Sequence, residues 1–64
     1  MDQDKVRKWV HDLNNRVSVV LANAELMQLD QLLSPKSRER TKTIEEKTLE
    51  IRALIRELTV HLLG

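Results

Sequence analysis

Leu33-Ser34-Pro35-Lys36 divides the chain, because it holds the one proline among 64 residues. Serine is a favoured helix N-cap, since its hydroxyl accepts one of the first-turn amides that have no partner within the helix. Proline suits the first helical position, where its missing N–H would have gone unbonded. The pair therefore starts one helix and stops the one before it. Asp2 or Asp4 is placed to cap the first helix, and Gly64 follows Leu62-Leu63 where a C-terminal glycine belongs. Two helices are expected, over about 4–33 and about 35–63, each roughly 45 Å long at 1.5 Å per residue.

Both halves carry a heptad pattern. Val6, Val10, Leu13, Val17, Val20, Ala24 and Met27 alternate steps of four and three, as do Thr41, Ile44, Thr48, Ile51, Ile55, Leu58 and Leu62. Apolar residues at that spacing form a stripe along one side of a helix. Trp9, Leu21, Leu49 and Leu54 flank the stripes and widen them. A wide stripe suits a helix with two neighbours better than a two-stranded zipper. Helices joined by a very short connection run antiparallel, and two such hairpins about a two-fold axis would bury all four stripes. The expected fold is all-α, an antiparallel two-helix hairpin that homodimerises into a four-helix bundle, with residues 1–64 as one unit.

Composition narrows the function. Eleven Lys+Arg against ten Asp+Glu leave a net charge of +1, too little for a field that attracts nucleic acid. The absence of cysteine removes disulfides, thiolate zinc sites and thiol catalysis. No apolar run approaches the ~20 residues that span a bilayer, and the N-terminus has no signal-peptide layout. No direct membrane insertion, no resident metal and a cytoplasmic location are expected, though a longer parent protein could carry an anchor. Chains this short usually need a staple, a metal or a second subunit, and here the second subunit is the candidate.

Chemistry concentrates in Val10-His11-Asp12-Leu13-Asn14-Asn15. With Val10 and Leu13 in the stripe, His11 faces solvent on a long rigid helix. Asn15, one turn on, reaches the same side, and Arg7 and Lys8 place positive charge on the preceding turn, where an arriving phosphoryl group is favoured. Asp12 lies a quarter-turn round, at the edge of the imidazole's surroundings. A neutral imidazole with an accessible nitrogen is a competent nucleophile, and phosphoryl transfer asks the protein mainly for positioning and charge stabilisation. Beyond His11 the same outer side carries Ser18, Val19 and Ala22, a low-charge strip suited to a docking protein. Among other candidates, Trp9 is expected to wedge between helices, and His61 sits where a helix C-terminus favours a cation. Thr41 and Thr48 are expected to bond back to helix carbonyls.

The run His11-Asp12-Leu13-Asn14-Asn15, continuing through Val17 to Leu26, resembles the H-box of bacterial sensor histidine kinases, in the branch that reads His-Asp-Phe-Asn-Asn. The resemblance spans nearly the whole chain as a dimerisation and histidine-phosphotransfer domain. It implies that His11 accepts the γ-phosphoryl of ATP and passes it to an aspartate on a response-regulator receiver domain. Asp12 would act as general base, and Asn15 would orient water when the regulator is dephosphorylated. Lys8, Ser18, Val19 and Ala22 would meet the partner. ATP and Mg would be held by a separate ATP-binding domain, in cis or in trans, so this chain should not autophosphorylate alone. Two positions depart from the family: Arg16 stands where many members have a helix-bending proline, and Leu13 replaces the branch's phenylalanine. A stand-alone phosphotransfer protein and a non-catalytic dimerising hairpin are the alternatives.

Overall fold

A computed structural model describes residues 2–64. Two helices make up the fold, α1 over Gln3–Gln28 and α2 over Pro35–Leu63, packed along each other in a rod of 47 × 15 × 12 Å. The first helix begins at Asp2, whose carboxylate accepts the Asp4 N–H at 2.9 Å. The second begins as read from Ser34-Pro35: the serine Oγ accepts the Ser37 N–H at 3.1 Å and proline occupies the first turn. Gly64 closes α2, its N–H donating to the Val60 carbonyl at 3.0 Å. No helix is long and apolar enough to cross a membrane.

The first helix ends five residues earlier than the periodicity suggests, at Gln28 rather than near residue 33. The cause is Asp30. Its carboxylate accepts the Leu32 N–H at 2.9 Å and its carbonyl accepts the Leu33 N–H at 3.2 Å. These local bonds compete with continuation of the helix, which is why aspartate favours turns. Arg38, one turn into α2, then locks the connection. Its guanidinium donates to the carbonyls of Gln28 at 2.6 Å and Asp30 at 2.8 Å, while the Gln28 amide donates back to the Arg38 carbonyl at 3.1 Å. Carbonyls left open by the end of α1 are thereby satisfied.

Packing between the helices divides each heptad stripe into two columns. Val17 and Ala24 of α1 and Thr41, Thr48 and Ile55 of α2 are buried in the hairpin, with Leu21 beside them. The other column is left half exposed: Leu13 (44%), Val20 (47%) and Met27 (44%) on α1, and Ile44 (45%), Ile51 (48%) and Leu58 (47%) on α2. Val6 heads the α1 column yet is buried. A straight helix drifts ~20° per heptad against a seven-residue repeat, so the column starts inward at Val6 and turns outward by Leu13. Trp9 is not wedged between the two helices; it is 53% exposed, on the same outer ridge.

The interior of the hairpin is thin. Its buried apolar residues are Val6, Val17, Leu21, Ala24 and Ile55, and much of the inward side of α2 is threonine. Thr41, Thr48 and Thr59 satisfy their hydroxyls on the carbonyls of Ser37, Ile44 and Ile55, at 2.8, 2.6 and 2.7 Å. Glu45 Oε1 is buried with no hydrogen-bond partner among the described residues, which costs stability. Replacing Arg38 by alanine removes the clasp on the turn and is expected to lower stability by about 1–2 kcal/mol. Urea unfolding at fixed chain concentration reads this, and an unchanged midpoint would show that the turn holds without it.

Candidate functional site

His11 stands in the third turn of α1, exposed, with uninterrupted helix on both sides. The 3.6-residue repeat places Asn15 on its C-terminal side, and the two side chains meet: Asn15 Nδ2 lies 3.3 Å from His11 Nε2. An amide N–H donates, so Nε2 accepts through its lone pair and the ring proton resides on Nδ1. The nitrogen that points along the helix toward Asn15 is therefore the unprotonated one. Its lone pair is engaged by a long, exposed hydrogen bond, and a rotation of the Asn15 side chain releases it at a cost of about 0.5–1.5 kcal/mol.

Around this pair the helix sorts the remaining residues. At 100° per residue, Ser18 and Ala22 lie within about 20° of His11 and Lys8 and Val19 within about 80°. All four are exposed. Asp12 lies about 100° away and is partly buried, its backbone carbonyl accepting a bond from Arg16 Nη1 at 3.1 Å. Arg16, where a proline would remove a backbone donor and bend the helix, instead adds a second donor to the same carbonyl, and α1 continues without a break. Arg7 supplies less free charge than expected, because it pairs with Asp4 at 3.3 Å. Lys8 makes no ion pair among the described residues.

On this side of the hairpin an open groove of about 420 Å³ separates the helices, lined by Val10, Asn14 and Ser18 of α1 and by Arg52, Arg56 and Thr59 of α2. Arg52 reaches across it, Nη2 lying 3.4 Å from Ser18 Oγ. Reading the first helix alone misses Arg52 and Arg56, and with them the groove that Asn14 shares. The two arginines are one turn apart, and only the antiparallel register brings them across from the first helix, Arg52 level with Ser18 and Arg56 level with Asn14, about two turns and one turn beyond His11. The exposed apolar ridge lies about 160–180° round α1 from His11, so the imidazole and the ridge occupy opposite sides of the molecule.

Among the described residues no group of histidine, cysteine or carboxylate side chains is placed to hold a metal ion. Comparison with protein-family models, with curated proteins and with solved structures gives no match.

Removing the amide that holds Nε2 should change the ring itself. In Asn15→Ala the Nδ1–H form of His11 should lose its preference, since the Nε2–H form predominates in an unconstrained imidazole. Nitrogen-15 chemical shifts of the two ring nitrogens measure this, with exposed His61 as the internal reference. Identical His11 shifts in wild type and variant would show that the bond has no hold on the ring.

Proposed function

We propose that the chain is the dimerisation and phosphoacceptor domain of a two-component histidine kinase. One observation carries the reading: within an H-box-like sequence, His11 stands exposed with Asn15 on its Nε2, on the side of α1 opposite the apolar ridge. Burying that ridge against a second copy completes a four-helix bundle and leaves both His11 side chains facing outward.

In the proposed reaction His11 Nε2 attacks the γ-phosphorus of ATP held by a separate ATP-binding domain. The P–N bond forms, the bond to the bridging oxygen breaks, and ADP leaves. Asp12 takes the Nδ1 proton as the ring acquires charge, acting as general base. The phosphoryl group then passes to a carboxylate oxygen of a receiver-domain aspartate, and the Nε2 lone pair is restored. In the reverse regulatory step Asn15, released from Nε2, orients a water for hydrolysis of the regulator's acyl phosphate. The low-charge strip of Ser18, Val19 and Ala22, with Lys8 at its edge, is the docking surface for the regulator. A kinase of this kind works in the cytoplasm, where ATP is available.

The test is phosphorylation in trans. With ATP, Mg and an isolated ATP-binding domain proved competent on its own partner, wild type should acquire acid-labile phosphate and His11→Ala none, at equal helix content. Asn15→Ala should still be phosphorylated, while its regulator loses phosphate about tenfold or more slowly, the size of effect expected when one positioned polar group is lost. Equal dephosphorylation rates would remove the role of Asn15. Label on neither wild type nor His11→Ala would overturn the phosphoacceptor reading in favour of a hairpin that only dimerises.

A further inference from the structure

The groove beside His11 is basic on one wall and carries no acid. Arg52 and Arg56 line it from α2, Asn14 and Ser18 from α1, and no carboxylate is among its lining residues. Neither arginine makes an ion pair among the described residues. Of the eleven Lys and Arg side chains, two make ion pairs among the described residues, Arg7 with Asp4 and Lys47 with Glu50, so Arg52 and Arg56 are set apart by lining one groove together rather than by lacking an acid partner. Arg52 is partly buried, and its one contact is to the Ser18 hydroxyl across the groove. That contact engages one of five guanidinium N–H donors and leaves the others directed elsewhere. Two planar donor forks one helical turn apart, joined by an amide and a hydroxyl, match the oxygens of a phosphoryl group in geometry and charge. On the preceding turn Arg7 is partly engaged by Asp4, and Lys8 is a single unpaired ammonium rather than a planar fork.

We propose that Arg52 and Arg56, with Asn14 and Ser18, form an anion site across the interhelical groove that holds the phosphoryl group carried by His11. This inference rests on the phosphoacceptor reading above. In the register set by the Ser18–Arg52 contact, Arg56 stands level with Asn14, and His11 precedes Asn14 by about one turn of α1, next to the groove wall. As the Nε2–phosphorus bond forms, the phosphoryl oxygens turn toward the arginines of the second helix. α2 of the same hairpin thus adds positive charge to that of Lys8 on α1, and Arg56 is a positioning residue.

Phosphoramidate supplies a donor that needs no ATP-binding domain. His11 Nε2 attacks its phosphorus, the P–N bond of the donor breaks, and the nitrogen, already –NH₃⁺ in the zwitterion, leaves as ammonia. Arg56→Ala is expected to slow this reaction about tenfold, and Arg52→Ala, Arg56→Ala together about a hundredfold, in the range found for loss of charged groups that stabilise a transition state. Arg56→Lys should recover part of the rate, and Lys36→Ala, a distant exposed cation lost from the turn end, should leave it unchanged.

The second arm is independent of His11 chemistry. Inorganic phosphate titrated into His11→Ala should shift the amide resonances of Asn14, Ser18 and Arg56 to saturation, and should not do so when both arginines are alanine. Phosphorylation of His11 at equal rates in wild type and the double variant, with no saturable shifts, would overturn the anion site and leave the phosphoacceptor intact. Saturable shifts without phosphorylation of wild type would establish the anion site and overturn its link to His11.

Discussion

A two-helix hairpin can bury only one column of each heptad stripe against its own sister helix, and everything else in this molecule follows from which column is left out. Inside lie small or hydroxyl-bearing groups: Ala24 and Val17 from α1, Thr41 and Thr48 from α2, with Leu21 and Ile55 as the largest apolar side chains. Outside lie Leu13, Met27, Ile44, Ile51 and Leu58, each a little under half exposed. The bulkier column is the exposed one. Fully burying a leucine or isoleucine side chain contributes about 1.5–3 kcal/mol, so the larger reserve of hydrophobic free energy sits on the outer ridge. The second copy proposed above would cover that ridge and use it.

The same division separates the apolar ridge from the side that carries His11. A helix that gave its stripe to one neighbour only would leave His11 at an undefined place on a broad exposed surface. With the sister helix on one side and the ridge on another, the imidazole is left on the far side, bordered by the interhelical groove. The unbroken run of α1 adds to this. Arg16 bonded to the Asp12 carbonyl keeps the helix regular through the turn that carries His11 and Asn15, so their separation is set by helical geometry and by one side-chain rotation.

Much of this was legible in the sequence, and the failures have physical causes. Ser34-Pro35 marked the start of α2 because both residues act through local backbone chemistry, and the threonine hydroxyls found the carbonyls one turn back for the same reason. The end of α1 was misplaced because the apolar period continues through Leu32 and Leu33, whereas Asp30 stops the helix by bonding to its own neighbours. Trp9 is expected as a wedge between helices and does not lie between these two, because a heptad stripe alone does not say which of its columns meets the sister helix. His11 and Asn15 could be paired from their spacing of four. The groove could not, since Arg52 and Arg56 acquire meaning only through the antiparallel register, which the Arg38 clasp and the length of the turn determine.

The claim on which the account depends is that the outer ridge is an interface and the His11 side is not. Isotope-filtered nuclear Overhauser spectroscopy on a mixture of methyl-labelled and unlabelled chains tests it directly. The account predicts contacts between chains from the methyl groups of Leu13, Val20, Met27, Ile44, Ile51 and Leu58, with Val19 and Ala22 silent. A folded hairpin with no contacts between chains, or contacts arising from Val19 and Ala22 instead, would contradict it.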